Sequence, residues 1–404
     1  MLETVDSPGH PSVLVLSRCS SAFGLSQGGV DVLARRHASA LARNGFSVCL
    51  VASFELPLPG AGRTVRVAHT QFLLSQPRSR RMVSLLFLLN EFVNGVRGTL
   101  CALRILRKSR FDLVVSNHSV STLILKMVHP SQLTTHYVHD GLHAHRHVRG
   151  LTAKVVRYFL NDVLEFAAAG LADRIFCVSE GLRDQLVEVG IPASKISIVG
   201  PVLGDSPMQT AAGSTVSADP ELLAPEPYIL TVGQQSGRKR FDLLIQAMEF
   251  VPRNISLVIV GDGPLHDSYV DQARLGGLQN RIRFLQGVSD LELSKLYSHA
   301  EVFALVSENE GHPVTVAEAL SLGRKVVLAS PSLTSWSTLD RAGVVAISHM
   351  PTPKELGDQL TSMLSGDDRN SGEQPILSAE TRDAPARENA LIGLYSELVT
   401  RTPA

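Results

Sequence analysis

Twice along this chain of 404 residues, a short apolar run gives way to a loop, then to a helical pattern, then to another apolar run. The first series opens at Val13 to Leu16 and passes a Gly/Ser-rich loop ending in Gly28-Gly29. It continues through Val32, Leu33, Ala38 and Leu41 at helical spacing, stops at Asn44-Gly45, and resumes as an apolar run from Phe46 to Ala52. Runs this short and this continuously apolar read as strands covered on both faces, the situation of a parallel sheet with helices on its two sides. Strand, loop, helix, strand is a βαβ unit, so the expected class is α/β. Further strands are expected at Leu113 to Ser116, Thr135 to Val138, Ile175 to Val178 and Ile196 to Val199.

From Asp205 to Pro227 the residues change to Ser, Thr, Ala, Pro and Gly without periodicity, which reads as a linker and the approach to a new domain. A second series follows: strand Tyr228 to Val232, helix Asp242 to Glu249, strand Ser256 to Val260. Further strands are expected at Arg283 to Leu285, Val302 to Val306 and Val326 to Ala329. The expected organisation is a first domain over 10–204, a linker over 205–225 and a second domain over 226–380. An amphipathic helix over 386–400 closes the chain after a polar gap at Gly366 to Gln374. Hydrophobic residues make up 44% of the chain, enough for two cores and too many for a disordered polymer.

Lys and Arg number 38, as do Asp and Glu, but the balance is uneven along the chain. Residues 1–200 hold 22 basic and 13 acidic residues, a balance of +9, which leaves 16 and 25, or −9, for the remainder. A basic half suits an anionic partner. Its densest part, Arg78 to Arg110, carries eight basic residues and one acid, Glu91. Apolar residues recur there at helical spacing: Met82, Leu85, Leu86, Leu89, Phe92, Val93, Val96, Leu100, Leu103 and Leu106. One reading is a long helix docked on the first sheet; the other is a basic amphipathic surface lying on anionic lipid.

The cysteines (Cys19, Cys49, Cys101, Cys177) are scattered, which fits a reducing compartment. The opening residues lack the apolar core of a signal peptide, and the stretch from Val83 to Leu89 is too short to span a bilayer. The expected location is cytoplasmic, with peripheral contact at the inner membrane face as the second reading. One Trp, six Tyr and no recognisable nucleic-acid-binding motif argue against a nucleic-acid partner.

The segment with the most chemical content is Ser307-Glu308-Asn309-Glu310-Gly311-His312-Pro313-Val314-Thr315-Val316-Ala317-Glu318. It follows an apolar strand, breaks at Gly311 and Pro313, and becomes helical by Thr315. Unpaired backbone N–H groups at such a turn point at an anion, while Glu310 and Glu318 are placed to accept hydrogen bonds from sugar or ribose hydroxyls. Two solvated surface glutamates are the bland alternative.

Glu310 and Glu318, inside EGHPVTVAEAL, resemble the Glu-x7-Glu motif of glycosyltransferase family 4. TVGQQSGRKRFDLLIQA resembles that family's Gly-(Arg)-x5-Lys segment, VIVGDGP its strand-and-turn signature, and FLQGVSDLELSKLYSHAEVFALVSENEG the run before the motif. The Gly28-Gly29 loop and ADRIFCVSEGLRDQL match in the first half. The resemblance spans nearly the whole chain and implies a GT-B fold: two facing Rossmann-like domains with parallel sheets, and a C-terminal helix crossing back to the first domain. It implies retaining hexosyl transfer from a nucleotide-diphosphate sugar, with no metal and no cofactor. The acceptor would be a saccharide, a lipid-linked hydroxyl or a small molecule. By resemblance, Glu310 touches the donor hexose, Glu318 the ribose, and Lys239 neutralises the diphosphate. Gly28, Gly29, Gly233, Gln234, Arg238, Gly311, His312, Val314 and Thr315 complete the donor site. His139, in YVHDG, resembles the active-site histidine facing the transferred sugar, and His118, in LVVSNHS, an acceptor-side position.

Two departures keep alternatives open. Gln234 stands where the family usually has Arg, and a neutral amide offers no charge to a departing diphosphate. Arg238 or Arg240, flanking Lys239, would compensate if turned inward. Gly200 to Asp205 replaces the family's usual Asn-Gly turn. Both departures suit a non-catalytic or attenuated sugar-nucleotide binder. The histidines His136, His139, His143, His145 and His147 have only Asp140 as a nearby carboxylate and do not read as a metal site.

Overall fold

Successive residues of the first strand pack into two different cores, which is why its sequence is apolar without alternation. Val13 and Val15 join one buried cluster with Ala38 and Leu41, whereas Leu14 and Leu16 join another with Ala102 and Ile105. The computed structural model describes residues 10–17, 29–52, 58, 62–66, 80–139, 162–199, 227–308, 310, 314–331, 344–365 and 384–400. Gly28, Gly311, His312, the expected linker 205–225, the segment 200–205 and the histidines at 143, 145 and 147 lie outside them.

Two compact units emerge, one containing Gln27–Gly204 and Pro385–Ala404, the other Asp205–Ala384. In the first, β1 (Ser12–Leu16), α1 (Gly29–Arg43) and β2 (Ser47–Ala52) form the opening βαβ unit. Next come β3 (Arg63–Arg66), α2 (Arg80–Leu106), β4 (Leu113–Ser116), α3 (Ser119–Val128) and β5 (Thr134–Val138). The series ends with α4 (Leu164–Leu171), β6 (Arg174–Cys177), α5 (Glu180–Glu188) and β7 (Ile196–Ile198). These strands make one parallel sheet in the order β3-β2-β1-β4-β5-β6-β7.

The second unit starts with β8 (Tyr228–Val232), α6 (Phe241–Ala247), β9 (Ser256–Val260), α7 (His266–Leu275) and β10 (Ile282–Leu285). It continues with α8 (Asp290–His299), β11 (Val302–Val306), α9 (Val314–Ser321), β12 (Lys325–Ala329), β13 (Val344–Ile347) and α10 (Pro353–Ser365). Its sheet is again parallel, in the order β10-β9-β8-β11-β12-β13. Helix α8 starts at a capping box between Ser289 and Glu292, and those hydrogen bonds from Ser289 hold the Glu292 carboxyl below its usual range.

In each sheet the chain runs outward on one side of its first strand and then returns to build the other side. The order therefore reverses between β1 and β4 and between β8 and β11. In open α/β sheets, ligands bind outside the carboxyl ends of the strands at that reversal. The last helix, α11 (Ala384–Thr400), belongs to the first unit. Its Leu391, Tyr395 and Leu398 enter the core there, with the Tyr395 ring 6.4 Å from Phe46 and 5.4 Å from Phe176. Glu388 pairs with Arg43 at 3.2 Å.

Candidate functional site

At the reversal of the second sheet, β8 is buried along its length and ends in Gly233. A hydrogen bond from the Gly233 amide to the Val260 carbonyl (3.0 Å) carries the ladder one residue further. Gly261, at φ 133°, lies so near that an added Cβ would sit 2.1 Å from the Gly233 oxygen, so the loops after β8 and β9 meet backbone to backbone. Gln235 is fully buried and locks these loops: its amide nitrogen donates to the Gly261 carbonyl (2.6 Å), and its Oε1 lies 3.0 Å from His266 Nδ1. Neighbouring Gln234 is half-buried. Two adjacent glutamines thus differ, Gln235 buried and holding the loops, Gln234 half-buried beside it.

One turn of tight helix, Gly237–Lys239, follows. Arg240 then takes the left-handed conformation (φ 43°, ψ 38°), unusual for a side chain of that size, and opens α6. The Glu308 amide donates to the Arg238 carbonyl (2.8 Å), pinning this turn to the end of β11. Glu310 is 7% exposed, and its Oε1 takes both Lys239 Nζ at 2.6 Å and Arg238 Nη1 at 3.2 Å. Burial opposes ionisation of Glu310, but Lys239 and Arg238, with hydrogen bonds from Lys239 and Ser307, outweigh it and hold the carboxyl below its usual range. Glu310 is therefore a carboxylate at neutral pH. Two cations thus converge on one carboxylate, Lys239 buried and Arg238 half-buried. Arg240 turns aside, its Nε 3.1 Å from Asp242.

Glu318 lies one helix further along, buried in α9, and accepts from the Tyr297 hydroxyl at 3.2 Å. Val314 is buried in the first turn of the same helix, and Thr315 follows it half-buried, its carbonyl 3.3 Å from that hydroxyl. Among the expected donor residues, Lys239, Arg238 and Glu310 are thus in direct contact, Gly233 lies under Lys239, and Glu318 is anchored through Tyr297.

In the first unit, Ser17 follows β1 and its hydroxyl bonds to the buried Asp31, in the first turn of α1, which begins at Gly29. Asn117 follows β4 and His139 follows β5, with His139 Nε2 2.7 Å from Asn117 Oδ1. His118 sits against α2: a Cβ on Gly95 would lie 2.2 Å from its ring, and Ser121 Oγ is 3.4 Å from its Nδ1. His136 is wholly buried, its Nδ1 2.9 Å from Thr122 Oγ1 and its Nε2 3.1 Å from Glu165. Among the described residues, no group of three or more His, Cys, Asp or Glu is placed to hold a metal ion.

Sequence reading passed over Asn117, Gln235 and Tyr297. The signal for Asn117 was available, since it immediately follows a strand at a sheet reversal. Nothing local in sequence marks Tyr297, which reaches Glu318 from another helix.

A family model described as "Glycosyltransferase Family 4" matches residues 27–202, and one described as "Glycosyl transferases group 1" matches residues 216–374. The chain belongs to glycosyltransferase family 4. A D-inositol 3-phosphate glycosyltransferase of Xylanimonas cellulosilytica is 28% identical over 215 residues, which cover 50% of this chain and 49% of that protein. The matched stretch thus spans about half the length of this curated relative. Among solved structures, sucrose-phosphate synthase of Thermosynechococcus elongatus aligns over 97% of this chain and 100% of its own, at 17% identity and a TM-score of 0.72. The Anabaena protein HepE in complex with UDP-glucose aligns over the same shares, at 14% identity and a TM-score of 0.64. The fold of the chain is GT-B, with one parallel sheet in each unit.

Proposed function

We propose that the protein is a retaining glycosyltransferase moving a hexosyl unit from a nucleotide-diphosphate sugar to an acceptor hydroxyl, without a metal. The observation that carries this is the Lys239–Glu310–Arg238 cluster at the reversal of the second sheet. In such a transfer the bond from the anomeric carbon to the diphosphate oxygen breaks, and the acceptor oxygen takes its place on the same face, its proton passing to the departing diphosphate. The electron pair leaves with the diphosphate, so negative charge grows there as positive charge grows on the sugar. Buried Lys239, with half-buried Arg238 beside it, stabilises that departing group, and Glu310 accepts hydrogen bonds from the hexose hydroxyls. Glu318 holds the ribose. Support for the donor class comes from the likeness to HepE, which binds UDP-glucose.

The exposed side of α2 fits a second part of this reading, a glycan acceptor presented at an anionic membrane. Phe92 (42% exposed) and Leu100 (49%) share that side with exposed Arg97, Arg104 and Arg107. No helix among the described residues is long and apolar enough to cross a membrane, so contact would be at the surface.

The roles of the two glutamates are tested by titrating UDP-glucose and following its hydrolysis. Glu310→Gln is expected to lower turnover by about a hundredfold, with binding changed by less than about threefold. Glu318→Ala is expected to weaken binding by about tenfold. Equal effects of both changes, or none, contradict the assignment.

A further inference from the structure

Helix α1 runs into the dipeptide Asn44-Gly45, and both residues are exposed. Gly45 takes the left-handed conformation, φ 85°, that closes many helices. Its amide donates to the Ala42 carbonyl at 3.4 Å, and the Phe46 amide donates to the Leu41 carbonyl at 3.1 Å. Those two bonds make a Schellman closure, after which Phe46 packs against Tyr395 of α11.

The Asn44 side chain folds back over this turn. Its Nδ2 donates to the Ala40 carbonyl at 2.9 Å and to Glu388 Oε1 at 3.1 Å. Both partners only accept, so the amide has one orientation and both of its hydrogens are engaged. Glu388 comes from near the start of α11, and the same oxygen takes Arg43 Nη2 at 3.2 Å.

Asparagine followed by glycine carries a chemistry of its own. The glycine nitrogen, unshielded by any side chain on its own residue, attacks the asparagine Cγ once hydroxide has taken its proton. The Cγ–Nδ2 bond breaks, and the nitrogen leaves as ammonia, keeping the electron pair and taking a proton from water. A five-membered imide remains. Water opens it at either carbonyl, giving aspartate or isoaspartate. In the folded chain the attacking nitrogen is tied to Ala42, and the leaving nitrogen to Ala40 and Glu388.

We infer that Asn44 is a deamidation site guarded by α11, and that its conversion loosens α11 irreversibly. Undocking of α11 withdraws Glu388 and releases one hydrogen of the leaving amide. The product carboxylate has no hydrogen to give to Glu388 or Ala40. It also adds negative charge at the carboxyl end of α1, where the helix dipole opposes it. Isoaspartate further lengthens the backbone by a carbon inside the closure. Leu391, Tyr395 and Leu398 follow Glu388 on the same helix and fill the core of the first unit, so the damage reaches buried packing. None of this rests on the proposed function.

Peptide mapping that resolves asparagine, aspartate and isoaspartate at position 44 follows the site in the full chain at mildly alkaline pH. The folded wild type is expected to convert at least about tenfold more slowly than the same chain unfolded in guanidinium chloride. Glu388→Ala is expected to convert about tenfold faster than the folded wild type, the worth of one hydrogen bond to a charged group. Glu388→Gln keeps an acceptor and is expected to stay within about threefold of the wild type. Asn44→Asp imitates one product and is expected to raise hydrogen exchange across residues 391–398 by about threefold. An unfolded chain that keeps its asparagine at 44 removes the site. A folded wild type as fast as the unfolded chain removes the guard, and that comparison needs no variant to fold. Glu388→Ala no faster than the wild type removes Glu388 from it, and unchanged exchange in Asn44→Asp overturns the loosening of α11.

Discussion

Arg240 takes a left-handed backbone conformation that costs a residue with a Cβ about 1 kcal/mol or more. That conformation separates its fate from that of Arg238, two residues earlier: Arg240 caps α6 and pairs with Asp242, while Arg238 reaches Glu310. No propensity argument distinguishes the two in the run Arg238-Lys239-Arg240. The choice depends on the backbone turn and on the amide of Glu308 that pins it. Arg238 thus stands as the second cation on Glu310, beside Lys239. Arg238→Ala is expected to lower UDP-glucose hydrolysis by about tenfold or more, and adding Gln234→Arg to that variant is expected to recover part of the loss. Both rates are read in the same assay. An Arg238→Ala enzyme as fast as wild type removes Arg238 from the site.

Helix α2 is the element whose sequence says two things at once. Asn94, Thr99, Ala102, Leu103 and Ile105 are buried, so much of the helix packs as any sheet-covering helix does. Phe92 and Leu100 stay exposed among arginines, which core packing does not explain. Flotation with vesicles rich in phosphatidylserine is expected to carry the wild-type protein upward, and Phe92→Ser/Leu100→Ser to leave it at the bottom. No flotation of the wild type at low salt contradicts a lipid-facing role for this side. At the same scale, the central strands were legible because both faces of each are buried, giving continuous apolar runs such as Val302–Val306. Of the edge strands, β7 and β10 were legible and β3 and β13 were not. β3 reads Arg-Thr-Val-Arg and, among the described residues, pairs with β2 alone, so it lacks the apolar run that marks a strand, whereas β13 reads Val-Val-Ala-Ile and pairs with β12 alone. The candidate residues Glu310, Lys239 and Glu318 were read from motif segments within one stretch of sequence each. The site was not legible where a partner comes from a distant element: Tyr297 for Glu318, Asn117 for His139 and Gly95 for His118.

At the scale of the molecule, two parallel sheets of the same design each reverse strand order once, and the polar residues singled out cluster beyond those reversals. Ser17 and Asn117 follow β1 and β4; Gly233 and Ser307 follow β8 and β11. The chain closes by returning α11 to the first unit, where Tyr395 is fully buried. A family of such enzymes varies its donor and acceptor through loops, so the fold fixes where chemistry occurs and leaves the sugar open. The most direct measurement is binding and hydrolysis of UDP-, GDP- and ADP-sugars by the full chain in the presence of a chelator. The account predicts tight binding and slow, chelator-resistant hydrolysis of at least one of them. Failure to bind any would contradict it and leave a GT-B protein that does not transfer sugar.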